Sequence, residues 1–343
     1  MKQLLSTLFV TSENAYASLE GENVVLKQED KVIGRCPLHI LEGICLFTYS
    51  GASPALIGKC AEMGINLVFL TPRGKFLARV IGESKGNVLL RRTQYRWADD
   101  EAKSCMIARS FIFGKINNSK NILARTKRDH ADRINEEDFH NAIIQMREIL
   151  GSVLETESLD SLRGLEGAAS NVYFQHMDDM ILRDKEQFYL HDRNRRPPTD
   201  NVNSLLSFIY VILSNECASA LENVGLDAYV GFLHQDRSGR KSLALDLMEE
   251  LRPCMADRFV LTLINDRIVQ ADDFMKQQSG AVLIKDSARK KILKEWQERK
   301  KTIITHPFLK EKLEWGLLPH VQALLLARYL RGDLDAYPPF LYK

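Results

Sequence analysis

The first part of the chain, residues 1 to about 90, alternates short apolar runs with polar turn signals, which is typical of a strand-rich region. The segment 20–23 (Glu-Gly-Glu-Asn) separates two such runs and suits a hairpin turn. One helix is predicted to begin after a capping Ser53, with Pro54 in its first turn, and to end at Gly64. The predicted strands cover residues 4–10, 16–19, 24–26, 41–49, 65–70 and 76–81.

From residue 101 onward the apolar positions recur at helical spacing. The segment 203–223 is strongly apolar with little charge, as in a helix at the centre of a domain. Two prolines exclude a helix from the loop 191–203, where Thr199 or Asp200 can cap the helix that follows. Helices are predicted at 102–127 (one helix or two), 136–153, 159–177, 203–223, 259–269, 285–301 and 308–330, with a small hairpin at 274–284.

These patterns divide the chain into two domains, as its length of 343 residues also suggests. We predict a small β-rich N-terminal domain over residues 1–90 and a larger all-α C-terminal catalytic domain over residues 102–343, with a linker at 91–101. The N-terminal domain carries no cluster of histidines, cysteines or carboxylates. We therefore expect it to serve dimerisation or partner docking.

Composition predicts a soluble cytoplasmic protein. With 45% hydrophobic and 27% charged residues, the chain resembles ordinary globular proteins. Six cysteines without a CxxC pair indicate reduced thiols. The N-terminal apolar run is too short for a signal peptide, and the run at 205–213 is too short to cross a bilayer.

The net charge of only +2 means that an anionic partner must be bound by local basic patches. Residues 91–97 interleave arginines with a tyrosine and a tryptophan and could contact phosphates and bases, although a solvated linker helix explains them equally well. Residues 285–301 contain eight basic and three acidic side chains, which favours contact with a phosphate backbone. A solvated lysine-rich helix is the alternative.

The most informative stretch is 231–253, in which a histidine, His234, precedes a basic turn and a short amphipathic segment. On a helix, Asp246, Glu249 and Glu250 would crowd on one face and repel each other. Such a cluster is tolerated on an open surface or beside a neutralising cation, and the leucines at 243 and 247 argue against a fully open surface.

A second unusual stretch places Glu166 between Gly164 and Gly167. Glycine inside a helix costs about 1 kcal/mol relative to alanine, so close approach of a neighbouring helix is the expected reason for the pair. Glu166 would then face a crowded interior, where an unpaired carboxylate is expensive. A metal ion or a loop arginine such as Arg195 could neutralise it, and both alternatives stay open.

Two carboxylates and one imidazole, from Glu166, His234 and Glu249, would suit Mg²⁺ or Mn²⁺. Zinc is disfavoured because the chain offers neither a cysteine pair nor a second histidine at suitable spacing. Asp246 would orient a ligand or a metal-bound water. His234 must be neutral to bind a metal, so we expect activity to fall at low pH.

Three motifs, RGLEGAASNVYF, RNRRPPTDNVNSLLSF and GFLHQDRSGRKSLALDLMEELRP, occur in this order and together resemble the integrase subunit of CRISPR adaptation. The DLMEELRP variant and the length resemble the version found with type I-C systems. The resemblance implies that Glu166, His234 and Glu249 bind the metal, with Asp246 as a further catalytic residue. It also matches Asn171, Tyr173, Arg195, Asp200 and Asn203 to polar positions around the active site of the family.

The reaction implied by this resemblance is attack of a DNA 3′-hydroxyl on a phosphodiester at a CRISPR repeat, or hydrolysis when water is the nucleophile. The implied partners are double-stranded DNA (prespacer and repeat), a second copy of the chain and a small ferredoxin-like adaptation protein; docking of an additional adaptation nuclease stays open. The predicted DNA contacts are Arg195, Arg196, Arg237, Arg240, Lys241, Arg289 and Lys290. A non-catalytic nucleic-acid scaffold and an interaction protein without DNA affinity are the alternatives.

Overall fold

The computed structural model describes residues 6–12, 14–29, 31–72, 76–80, 82, 87–194 and 196–343. The chain forms two compact units. One unit comprises the residues up to 85 together with Ile284–Thr302 and Glu314–Leu317, and the other comprises the remainder. The predicted combination of a β-rich N-terminal region and a mostly helical C-terminal region is confirmed. The first unit, however, also takes in a helix from the C-terminal part.

The elements follow the sequence pattern closely. The strands are β1 (Ser6–Val10), β2 (Tyr16–Glu20), β3 (Asn23–Gln28), β4 (Lys31–Pro37), β5 (Leu41–Leu46), β6 (Asn66–Leu70), β7 (Phe76–Arg79), β8 (Phe274–Lys276), β9 (Val282–Ile284), β10 (Ile303–Thr305) and β11 (Lys312–Glu314). The helices are α1 (Pro54–Met63), α2 (Val88–Ala98), α3 (Glu101–Asp129), α4 (Glu136–Glu155), α5 (Leu159–Gln175), α6 (Asn201–Asn223), α7 (Ser242–Leu251), α8 (Arg258–Asn265), α9 (Asp286–Lys300) and α10 (Leu318–Arg331).

The β-rich unit contains two sheets. One has the strand order β1-β5-β6-β7, in which β1, β5 and β6 are parallel and β7 is antiparallel to β6. The other is an antiparallel meander of β2, β3 and β4, whose first turn places Gly21 at φ +59°. Helix α1 connects β5 to β6 and begins and ends as predicted, because the Ser53 hydroxyl accepts a hydrogen bond from the Leu56 N–H and Gly64 adopts a left-handed conformation.

The helical unit is built around α6, which is almost entirely buried. Contrary to the length predicted from residues 205–213, this helix is long and apolar enough to cross a membrane. However, 72% of its apolar window is buried inside the protein, as in the core helix of a soluble protein. Asp200 caps it by accepting a hydrogen bond from the Asn203 N–H at 2.7 Å. Helices α7 and α8 join through a π-helical segment, Arg252–Asp257, which contains Pro253. Proline has no N–H and disrupts the regular helical hydrogen bonds at this point.

Several stretches differ from the sequence prediction, among them the short strand β10, which was not predicted. Residues 91–101, predicted as a linker, lie mainly in α2. The strand β4 was not predicted; its exposed side chains give no regular alternation of buried and exposed positions. The helix predicted at 308–330 begins only at Leu318, because the residues before it form β11 and a short 3₁₀ turn. Parts of the strands predicted at 4–10 and 76–81 lie outside the described residues.

Candidate active site

His234 is held by the carboxylate of Asp246, which comes from the first half of α7. Asp246 is fully buried and accepts hydrogen bonds from the backbone N–H groups of Phe232 (2.7 Å), Leu233 (3.0 Å) and His234 (3.1 Å). Its Oδ1 atom also lies 2.5 Å from Nδ1 of His234. A carboxylate can only accept, so Nδ1 carries the proton and Nε2 is left with its lone pair in the neutral imidazole.

The chain comes very close to Asp246 at Gly231. A side-chain carbon at that position would lie 2.8 Å from Oδ2 of Asp246 and 2.8 Å from the Cβ atom of Ser242. Glycine is therefore required for the loop carrying His234 to wrap around the start of α7.

Glu166 of α5 and Glu249 of α7 meet at one ammonium group, that of Lys115 on α3. The Nζ atom contacts Oε1 of Glu166 and lies 2.8 Å from Oε2 of Glu249. The Lys115 side chain is only 7% exposed. The pair with Glu249 is close but not a directed hydrogen bond, since this oxygen is buried without a hydrogen-bond partner. Two predicted metal ligands that are 83 positions apart in the sequence thus surround one cation.

Two cations hold Glu249 in its charged form. Burial acts to raise the pKa of this carboxyl, but Arg252, Lys115 and His234 together lower it to about 2. Arg252 donates a hydrogen bond of 2.7 Å to Oε1 of Glu249 and is itself buried. Glu249 is thus a charged carboxylate paired with Lys115 and Arg252. That His234 joins Glu166 and Glu249 in one metal site stays a prediction.

The ring of Tyr210 lies close to two guanidinium groups, one of which is that of Arg252. Arg252 and Arg193 are 4.9 and 5.2 Å from the ring centroid. The Tyr210 hydroxyl donates a 2.6 Å hydrogen bond to Asp257 at the end of the π-helical segment. Burial raises the pKa of Asp257 to about 6, although Tyr210 and the two arginines act to lower it. This layer supports Arg252 and, through it, Glu249.

The three carboxylates of α7 do not form one acidic face. Glu250 points into the interior, where it accepts hydrogen bonds from Tyr337, from Gln322 (2.9 Å) and from the backbone N–H of Phe340 (2.9 Å). Burial raises its pKa to about 7 against these hydrogen bonds. Each carboxylate therefore has its own partners, and all three are buried. The leucines at 243 and 247 correctly argue against an open surface.

The predicted reason for the glycines beside Glu166 is wrong. Side-chain carbons added at Gly164 or Gly167 would meet nothing within 4 Å in the described part of the chain, so no helix packs against them there. The close helix contact lies elsewhere, at Gly114 of α3, where an added carbon would lie 2.9 Å from the Cβ atom of Glu250. Glu166 does form an ion pair, but with Lys115. The loop arginine that was suggested as its partner, Arg195, lies outside the described residues.

The predicted DNA-contact residues fall into different environments. Arg196, Arg237 and Lys290 are exposed, and Arg240 is half-buried. Lys241, also half-buried, donates a 2.6 Å hydrogen bond to Asn215. Arg289 is buried beside Asp286, with which it forms an ion pair, so it does not suit a surface contact with a phosphate. The spacing of residues in the basic helix could not show which of its cations points inward.

Of the other polar residues implied by the resemblance, four are described. Asn171 is exposed and Tyr173 is buried. Asn203 is buried and accepts a hydrogen bond from Arg193 at 2.6 Å, while its amide donates to Asp200 at 2.6 Å. These contacts order the loop that precedes α6.

The residues missed by sequence reasoning are Lys115 and Arg252, the cations that neutralise Glu166 and Glu249. The carboxylates of Glu166 and Glu249 nevertheless suit a bound cation, because both contact one positive charge. In addition, Oε2 of Glu249 is buried and lacks a directed hydrogen bond. Among the described residues, no three histidine, cysteine or acidic side chains stand together as a complete metal-binding group. Lys115 provides the positive charge between the carboxylates.

Residues 8–298 match the family described as CRISPR associated protein Cas1. The chain is 46% identical over 343 residues to a CRISPR-associated endonuclease Cas1 of Chlorobaculum tepidum and 48% identical over 347 residues to one of Rhodospirillum rubrum, with both proteins and this chain covered completely. It is also 35% identical over 337 residues to a Cas4 exonuclease/Cas1 endonuclease fusion of Geobacter sulfurreducens, covering 97% of this chain and 60% of the fusion.

Solved structures with the same fold include a casposase bound to integration product, with a TM-score of 0.84 and 21% identity over 99% of this chain and 95% of that chain. A chain of a Cas6-RT-Cas1–Cas2 complex gives a TM-score of 0.83 and 21% identity over 100% of this chain and 37% of that chain. At these identities the likeness establishes the fold alone.

Proposed function

The chain belongs to the CRISPR-associated Cas1 family, and from this membership we propose that it is the endonuclease and integrase subunit of CRISPR adaptation. Its reaction is the insertion of spacer DNA into the repeat array, in which a DNA 3′-hydroxyl attacks a phosphodiester of the repeat. With water as the nucleophile, the same site would hydrolyse DNA. The protein would act in the cytoplasm.

The observation that carries this proposal is the pairing of His234 with the buried Asp246. A carboxylate that accepts Nδ1–H fixes the ring and leaves Nε2 available as a ligand, an arrangement common among metal-binding histidines. Glu166 and Glu249 supply two carboxylates that already surround a cation. We propose that these three side chains bind Mg²⁺ or Mn²⁺, which prefer such oxygen-rich sites.

The residues of the chain would have distinct tasks in this reaction. When bound, the divalent ion would supply Lewis acidity at the scissile phosphate. Asp246 orients His234, and Arg252 keeps Glu249 charged and in place. The exposed Arg196 and Arg237 would bind backbone phosphates and hold the duplex for in-line attack.

Partners are proposed from the relatives. A chain with the same fold occurs in a Cas6-RT-Cas1–Cas2 complex, and a relative is fused to a Cas4 exonuclease. These names support a complex with Cas2 and docking of a Cas4-type adaptation nuclease. The homodimer and the small ferredoxin-like adaptation protein are proposed from the sequence resemblance alone. We also propose the type I-C system as the setting, which rests only on the DLMEELRP variant and the chain length.

The test compares His234→Ala with the parent protein in DNA joining and DNA binding. Joining of a labelled prespacer to a repeat-containing duplex in Mg²⁺ or Mn²⁺ should be lost, because the ion would lose a ligand, while binding of the duplex should persist. His320→Ala, in α10 outside the cluster, is the control. Joining at the parent level by His234→Ala would contradict the proposal and favour the non-catalytic scaffold, whose carboxylates only form ion pairs with Lys115 and Arg252.

A further inference from the structure

Lys115 is unusual because a buried lysine lies between two carboxylates that come from two other helices. Its side chain is 7% exposed, and its ammonium group contacts Glu166 and lies 2.8 Å from Glu249. Glu249 has Arg252 as a second cationic partner. Two positive and two negative groups thus balance. Lys115, Glu249 and Arg252 are buried, where an unpaired charge would be costly, whereas Glu166 is 28% exposed.

We propose that Lys115 is a resident cation, which occupies the place between Glu166 and Glu249 until a divalent ion displaces it. This inference rests on the proposed function, because it assumes that these carboxylates bind the ion. Lys115 is thereby a positioning residue: it holds both side chains toward one point before the ion arrives. It also opposes ion binding, since its own contacts must break first.

The surroundings offer the displaced ammonium group a place inside the protein. Lys115 borders a small cavity that is also lined by Ser119 and Asp257. Asp257 is a buried carboxylate that faces the same cavity as Lys115. A lysine side chain is flexible enough to turn from one carboxylate to another, whereas the fixed fork of an arginine such as Arg252 is less suited to this exchange.

The measurement is the affinity for Mn²⁺ without DNA, by calorimetry or by the electron paramagnetic resonance signal of the free ion. Lys115→Met should bind Mn²⁺ roughly tenfold more tightly or better than the parent, because the ion no longer competes with the ammonium group. Without the ion, the same variant should melt at a lower temperature, and Mn²⁺ should raise its Tm more than that of the parent. Lys120→Met is the matched control, since this lysine of the same helix donates to Asn117.

Equal or weaker Mn²⁺ binding by Lys115→Met would overturn the inference, and so would the absence of binding by both parent and variant. If Lys115→Met does not fold even with Mn²⁺, Lys115→Gln retains a hydrogen-bond donor without the charge and should show the same tighter binding. The DNA-joining assay on His234→Ala remains a separate test. If His234→Ala loses joining while Lys115→Met binds Mn²⁺ no more tightly than the parent, the proposed function stands and this inference is wrong.

Discussion

At the scale of single residues, the tautomer of His234 depends on one carboxylate that is completely buried. Asp246 accepts from three backbone N–H groups as well as from the imidazole, so it has no spare capacity for a different partner. Those backbone hydrogen bonds fix the carboxylate, and the carboxylate fixes the ring. A ligand positioned in this way loses little conformational entropy when an ion binds.

Asp246→Asn should therefore weaken Mn²⁺ binding and DNA joining by roughly 10- to 100-fold. An amide nitrogen would replace one accepting oxygen and would face N–H donors. DNA binding measured by fluorescence anisotropy should stay close to that of the parent. Asp236→Asn, an exposed carboxylate two positions after His234, is the control and should change neither quantity. An Asp246→Asn protein with the Mn²⁺ affinity of the parent would show that the ring needs no such support.

Asp257 should make stability depend on pH. Burial raises its pKa to about 6 from an ordinary 3.8, so the folded protein retains a proton that the unfolded chain loses between these values. The contribution of this group to the free energy of unfolding is therefore largest below about pH 4 and is lost as the pH rises through 6. Relative to Asp257→Asn, which does not titrate, the parent should lose on the order of 3 kcal/mol between about pH 4 and pH 7.

Urea denaturation of both proteins across this pH range measures the effect. The asparagine can still accept the hydrogen bond of Tyr210, so the comparison isolates the charge. Parallel stability curves for the two proteins would mean that Asp257 titrates normally in the folded state.

At the scale of elements, sequence patterns predicted the single helices well but not the contacts between them. The caps at Ser53 and Asp200 were identified because capping depends on neighbouring residues. The ion pairs of Lys115 could not be identified, because its partners on α5 and α7 are far from it in the sequence and become neighbours only when the helices pack. The glycines of α5 were misinterpreted for the same reason: a pattern shows that glycine is unusual, but not which side of a helix it faces.

The glycine of α3 provides a test of this distinction. Gly114→Ala should lower the free energy of unfolding by about 1–3 kcal/mol, because the new methyl group would lie 2.9 Å from Glu250 and 3.1 Å from Pro339. Gly164→Ala, in an open helical position, should leave stability unchanged or raise it by up to about 1 kcal/mol. Urea denaturation measures both, and an equal effect of the two substitutions would contradict the assigned contact.

At the scale of the whole molecule, the last residues of the chain connect several helices of the helical unit. Asn118 of α3 donates to the carbonyls of Glu250 (2.8 Å) and Phe340 (2.9 Å) and accepts from the N–H of Tyr342 (2.7 Å). The end of the chain thereby contacts α7 at Glu250, the residue that follows Glu249. The candidate site is thus supported from behind by residues more than 200 positions away from α3 in the sequence.

The net charge of +2 provides no strong attraction to DNA over the whole surface, so affinity should depend on a few exposed cations. Arg237→Ala should weaken duplex binding and make the plot of log affinity against log salt concentration shallower by about 0.9, the value for one lost phosphate contact. Arg289→Ala should leave this slope unchanged, because the arginine is buried and paired with Asp286. Fluorescence anisotropy across a salt series distinguishes the two, and a slope that changes only in Arg289→Ala would place the DNA on the other unit of the protein.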